Sequence, residues 1–240
     1  MSERRWSTYL PWITAFAVAM GFLESAVVVY LRAIYYPEGF RFPLVAMSPV
    51  LIFTELVREA ATLVMLLAPG ALISRKRLER FAWFCWSFAV WDLFYYVFLK
   101  LLLDWPESLF TWDVLFLLPV VWVGPVLAPC IISLGLLALA TILLHARAKN
   151  PAYRPTNWHW VLLVIAALLY FLSFIEGPVG RMRSMATEGP YVMNNLATLG
   201  AYEPSTYSWN LFLLATIMAL TAMIHIAWHD FHQGGWTKSA

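Results

Sequence analysis

Charge is what this sequence has least of. Only 12% of its 240 residues are Asp, Glu, Lys or Arg, about half of what a soluble globular domain carries, and the mean hydropathy is +0.70. An ordinary soluble fold is thereby excluded. The net charge is only +2 and the basic residues sit in short clusters between apolar stretches, so the basic footprint of a nucleic-acid binder is missing too. Cysteine is almost absent. Cys85 and Cys130 both fall within apolar runs, where they read as small packing residues with free thiols rather than as a disulfide or metal pair. There is no CxxC, P-loop, Gly-rich dinucleotide fingerprint, HExxH or Ser-Gly signature. Trp91-Asp92 and Trp112-Asp113 echo each other, but their flanks do not align, so an inverted-repeat architecture gets no support. Disorder is excluded by an abundance: aromatics make up 17% of the chain, ample surface to bury.

What is present is apolar length. Runs of about seventeen or more residues can cross a hydrocarbon layer of roughly 30 Å as helices, the one open structure that satisfies its own backbone there. The pattern predicts an all-α integral membrane protein, a single polytopic domain with about six spans: 12–31, 48–73, 81–103, 125–145, 158–175 and 207–228. Ser48-Pro49 opens the second span as a cap followed by proline at the first helical position. The stretch from Val114 to His145 is too long for one span and contains Pro119, Pro125 and Pro129. It is therefore split, with 105–124 as an interfacial or re-entrant segment, read as a half-helix dipping into the bundle or an amphipathic surface helix. Arg4 and Arg5 before the first apolar run resemble a signal peptide, but no small-residue cleavage site follows, and the run reads as a retained helix.

Basic residues in the connections set the orientation. Arg4, Arg5, Arg75, Lys76, Arg77, Arg80, Arg147, Lys149, Arg154 and Lys238 lie on one side. Arg32, Arg41, Lys100, Arg181 and Arg183, half as many, lie on the other. Both termini are expected in the cytoplasm, with the chain in the plasma (inner) membrane. Boundary aromatics agree, with Trp6, Trp12, Trp83, Trp158, Trp160 and Trp228 inside and Tyr35, Tyr36, Trp105, Trp112, Tyr207 and Trp209 outside. The outer connection 177–206, with Arg181, Arg183, Glu188, Asn194 and Asn195, is long enough for a lid or docking surface.

Against this background the charges inside the spans stand out. An ionised side chain at a helix centre costs about 2.5–3.5 kcal/mol, whereas a Leu, Ile, Phe or Val returns roughly 0.3–0.6. Glu55, Arg58, Glu59 and Thr62 share one face of the second span, which must point inward. Asp92, Tyr95, Tyr96 and Lys100 repeat the arrangement on the third, and Glu24 joins from the first, with Arg32 at the rim. All three polar faces lie between the midplane and the outer boundary. Glu24, Glu55, Arg58, Glu59, Asp92, Tyr95, Tyr96 and Lys100 are thus the candidate substrate- or ion-binding set. Its acids outnumber its cations, so it can take up a proton or a cation. A packing network of mutually neutralised charges is the competing reading. The di-iron pattern fails, because Arg58 stands where Glu-x-x-His needs histidine, although a hard-oxygen Mg²⁺ or Ca²⁺ site stays open.

All five histidines cluster at the cytoplasmic boundary. His225 and His229 are one turn apart on one face, with His232 beyond and Asp230 adjacent, spacing that suits a metal ion. It equally suits boundary residues at a helix C-terminus. Haem would need His225 opposed at equal depth, whereas His145 and His159 are placed nearer the surface. No cofactor is identified.

Three functions follow: a small permease or proton- or cation-coupled carrier using the acidic set; an intramembrane enzyme on a lipid or prenyl substrate at the outer leaflet, with Arg58 and Lys100 holding its headgroup; or a non-catalytic membrane subunit of a larger redox complex. The expected partners are the bilayer, a small solute, proton or lipid headgroup, and other membrane subunits, with no nucleic acid.

Overall fold

A computed structural model of the chain describes residues 3–188 and 202–233. They form six helices: α1 (Glu3–Tyr35), α2 (Pro49–Ile73), α3 (Arg77–Leu103), α4 (Leu127–Lys149), α5 (Asn157–Glu188) and α6 (Trp209–Gln233). Between α3 and α4 lie two short strands, β1 (Trp112–Phe116) and β2 (Trp122–Pro125). All of the helices but α2 are long and apolar enough to cross a membrane, and the protein is membrane-embedded. α2 is the helix that carries Glu55, Arg58 and Glu59.

Helix α3 is the central post, with α1, α4 and α2 packed around it; α5 pairs with α6, and α6 also packs on α4. Small residues let α1 approach α3. A Cβ on Gly21 would sit 2.9 Å from the Trp91 carbonyl oxygen, and the Ser25 hydroxyl lies 2.8 Å from the Gly21 carbonyl and 3.0 Å from that of Tyr95. Such close backbone contact is how helices associate where lipid removes the hydrophobic drive. At the far end Ile13, Trp83, Leu139, Leu143, Met223 and Ile226 pack together from α1, α3, α4 and α6. Trp83, expected at the headgroups, is fully buried there.

Ser48 caps α2 as its sequence suggests, its hydroxyl accepting from the Leu51 N–H with Pro49 at the first helical position. Helix α2 is inside-out relative to a soluble helix. Its buried stripe is Glu55, Glu59, Thr62, Leu66 and Gly70, while Phe53, Val57, Val64, Leu67 and Leu72 are exposed.

Two expectations are corrected. The segment 105–124 holds neither a half-helix nor a surface helix; from Trp112 it forms an antiparallel hairpin running on to Pro125, pairing Trp112 with Pro125, Asp113 with Gly124, Val114 with Val123 and Phe116 with Trp122. Aromatic and β-branched residues dominate it, as suits a pleated strand. Its base is closed by the Val126 and Leu127 N–H groups, which donate to the Thr111 and Leu109 carbonyls at 3.0 and 2.7 Å. The outer connection, expected to begin at residue 177, begins later, because α5 continues through Pro178 to Glu188. A proline removes one hydrogen bond from the ladder, and packing around the fully buried Pro178 tolerates the loss. Asn194 and Asn195 of that connection, and Lys238 at the end, lie outside the described residues.

Candidate functional site: an acidic layer closed by a hairpin

Glu59 lies about 15 Å along α2 from its start, and Glu24 and Asp92 about 16 Å from the ends of α1 and α3 at 1.5 Å per residue. The three helices therefore present acids at one depth. Arg58 joins two of them: its Nε donates to Glu55 at 2.8 Å, and its Nη1 pairs with Glu24. The Thr62 hydroxyl, 3.4 Å from the second oxygen of Glu24, completes this knot between α1 and α2.

Glu59, one turn further along the same buried stripe, meets the tip of the hairpin. The Leu117 N–H donates to both of its oxygens at 3.0 Å, and the Leu118 N–H to one of them at 3.3 Å. A hairpin turn leaves N–H groups outside the strand ladder, and these need an acceptor when they are shielded from water. Glu59 supplies it for Leu117 and Leu118.

Aromatic rings seat the rest of it. Phe116 stacks on Phe88 of α3 and meets Trp91 with centroids 6.2 and 6.1 Å apart. Trp122 packs on Phe171 and Phe174 of α5 at 4.9 and 5.9 Å. Gly124 is required where it stands, since a Cβ there would meet the Phe174 ring at 2.8 Å. Among the described residues, the buried indole N–H groups of Trp91 and Trp122 and the hydroxyl of Ser87, one turn before Trp91, have no acceptor or donor opposite them.

On the far side of α3, the Ser133 hydroxyl of α4 donates to Asp92 at 2.7 Å. The Tyr96 hydroxyl donates to Asp113 of β1 at 3.2 Å. Asp113 is almost fully buried, and Arg32 pairs with it at 3.7 Å. The Arg32 guanidinium is itself set against two ring faces, 3.8 Å from the Trp105 centroid and 4.6 Å from that of Phe40. Tyr95 sets its ring edge-on to that of Tyr96, with centroids 4.9 Å apart, and its carbonyl accepts from Ser25 of α1.

Neither a protein-family model, nor a curated protein, nor a solved structure matches this chain. The function must therefore be argued from this geometry.

The structure unites Glu24, Glu55 and Arg58 directly, sets Glu59 one turn along against the hairpin, and turns Asp92 and Tyr96 to Ser133 of α4 and Asp113 of β1. Two expected positions change. Lys100 is half exposed, and its ammonium turns outward to Asp104 at 2.7 Å and to the Asp104 and Pro106 carbonyls; this contact holds the exposed Asp104 carboxyl below its ordinary pKa. Arg32, expected at the rim, is buried. Asp113 lies outside the expected set: in the sequence it is only an acid two residues before a Leu-Phe-Leu-Leu run, and the hairpin is what turns it inward.

At the other end, His159 lies nine-tenths buried against His225, contrary to its expected shallower position, with Nε2 and Nδ1 2.8 Å apart. The Thr156 N–H donates to His159 Nδ1 at 3.1 Å, with the Thr156 hydroxyl 2.7 Å from the same nitrogen, and Nε2 is left to His225. Both ring nitrogens of His159 are thus engaged. Among the described residues no group of three metal-ligating side chains gathers, and the His229 and His232 side chains lie outside the described residues.

Proposed function

We propose that this is a small permease or carrier coupled to protons or cations, lying in the plasma (inner) membrane with both termini cytoplasmic, and that α2 is its sixth span. The observation that carries this reading is the charge of the layer. Five acids, Glu24, Glu55, Glu59, Asp92 and Asp113, stand in this part of the bundle with two cations: Arg58 pairs with Glu24 and Glu55 and Arg32 with Asp113, while Glu59 and Asp92 accept from backbone N–H groups and the Ser133 hydroxyl. Uncompensated charge inside a bilayer costs too much to persist, so three more positive charges must enter as protons or bound cations. A layer that has to load positive charge is suited to coupling its movement to that of a solute.

The hairpin supports the same reading. Glu59 is both a member of the acidic layer and the acceptor that holds the hairpin turn. Loading a proton or cation on Glu59 weakens that hold, which ties occupancy of the layer to the position of the segment above it. The unpaired Trp91, Trp122 and Ser87 donors supply hydrogen bonds for a small solute at the same place. Arg58, which the enzyme reading would use to hold a headgroup, is already engaged by two carboxylates, and no observation favours that reading or the subunit reading over the carrier.

The test is flux. Purified protein in proteoliposomes loaded with dyes for H⁺, Na⁺ and K⁺ is given a gradient of each with a membrane potential, alone and with a panel of amino acids, sugars and organic acids outside, since a coupled carrier moves its ion together with its solute. Wild type is expected to move at least one of these ions, with Glu59→Gln slowing it about tenfold or more, as removal of a proton-transfer group does. A folded wild type that moves none of them, or a folded Glu59→Gln variant with unchanged flux, overturns the proposal.

A further inference from the structure

A second charged feature lies at the opposite end of the bundle and plays no part in the carrier reading. The three residues Ser74–Lys76 join α2 to α3, and beside them opens a recess of about 470 Å³ lined by Leu72, Ile73, Ser74, Arg75, Lys76, Glu79, Arg147 and Pro151. Its floor is neutral. Arg147 Nε and Nη2 donate to one oxygen of Glu79 at 3.3 and 3.1 Å, and the Ser74 hydroxyl donates to the other at 2.5 Å. Both Glu79 and Arg147 are buried.

With Arg147 and Glu79 offsetting each other, the mouth keeps the charges of Arg75 and Lys76. Both are exposed, and neither forms an ion pair among the described residues. Lys76 also stands at the start of α3 without a side-chain cap, so the partial positive charge of that helix end adds to theirs. The wall beside these cations is apolar: Leu72 is 86% exposed on the outward stripe of α2. Cations at the mouth, apolar surface alongside and room for a headgroup match an amphiphile with a phosphate at its polar end.

We propose that this recess binds the phosphate group of an anionic lipid, with the acyl chains lying along Leu72 and Ile73. The site is independent of the acidic layer, and its occupancy does not require transport.

The experiment uses the full chain in non-ionic detergent, titrated by native mass spectrometry with short-chain phosphatidic acid, short-chain phosphatidylcholine and inorganic phosphate. Phosphatidic acid is expected to bind more tightly than the other two. The Arg75→Gln/Lys76→Gln variant is expected to lose about 25-fold in that affinity, near fivefold for each cation at a membrane surface. Arg154→Gln, which removes an exposed cation at the same end but outside the recess, should stay within about twofold. Both changes are on exposed connections, and a tryptophan-fluorescence melt checks that each variant is folded. Unchanged binding in the double variant overturns the site, as does an equal loss in Arg154→Gln. Inorganic phosphate binding as tightly as phosphatidic acid overturns the lipid as occupant.

Discussion

The protein buries ionic groups at two levels, and the two clusters are built differently. Near the α2–α3 turn, among the described residues, Glu79 meets Arg147, one acid to one cation, and the charge of Arg75 and Lys76 beside them is positive and exposed. In the layer beneath the hairpin the surplus is negative and buried. A balanced pair asks nothing further of its surroundings. An unbalanced one needs charge from outside, and it is therefore the acidic layer, not the balanced cluster, that points to a coupled function.

The difference can be probed by removing one member at a time. Arg58→Leu leaves Glu24 and Glu55 without their cation, and a loss of about 3–5 kcal/mol is expected from breaking such a buried pair. Adding Glu24→Gln and Glu55→Gln should restore much of it, whereas after Arg147→Leu the single change Glu79→Gln should suffice. Thermal unfolding in detergent reads both series, and an Arg58→Leu variant that melts with the wild type would end the contrast.

Smaller effects sharpen it. Glu59→Leu orphans the Leu117 and Leu118 N–H groups at about 1–3 kcal/mol each, and Glu59→Gln should lose less because its amide carbonyl still accepts. Hydrogen exchange at those two amides should rise in the same order. Gly124→Ala is expected to cost about 1–3 kcal/mol by overpacking against Phe174, readable as a lower melting temperature. Asp113→Asn should cost about 1–2 kcal/mol, since Arg32 keeps the ring faces of Trp105 and Phe40. Lys100→Gln, whose partner Asp104 is fully exposed, should leave the melting temperature unchanged; a clear drop would return Lys100 to the layer.

Much of this arrangement is legible in the sequence, because it is local. The spacing of Glu55, Arg58, Glu59 and Thr62 fixes their common face on any helix, and the expense of those groups in lipid turns that face inward. Ser48-Pro49 announces the start of α2 for equally local reasons. What escapes is whatever depends on distant partners. The hairpin is a short apolar run whose period does not separate strand from helix, and its turn is stable only because Glu59, 58 residues earlier, accepts its N–H groups. Pro178 looks like a helix end until the neighbours that bury it are known. Arg32 reads as a rim residue because nothing nearby in sequence reveals that Asp113 and Trp105 fold over it. His159 and His225 are 66 residues apart, and only the pairing of α5 with α6 sets them at one depth.

The hairpin has one more consequence, for the divisibility of the chain. Helices α1–α4 gather around α3, whereas α5 and α6 form a separate pair that meets the rest through α6 on α4 and through β2 on α5, where Trp122 lies between Phe171 and Phe174. The hairpin thus bolts a four-helix half to a two-helix half. Cutting the polypeptide in the 150–156 connection and co-expressing the pieces should yield fragments that reassemble in the membrane, and replacing Trp122 with alanine should weaken that reassembly while the contact of α6 with α4 remains.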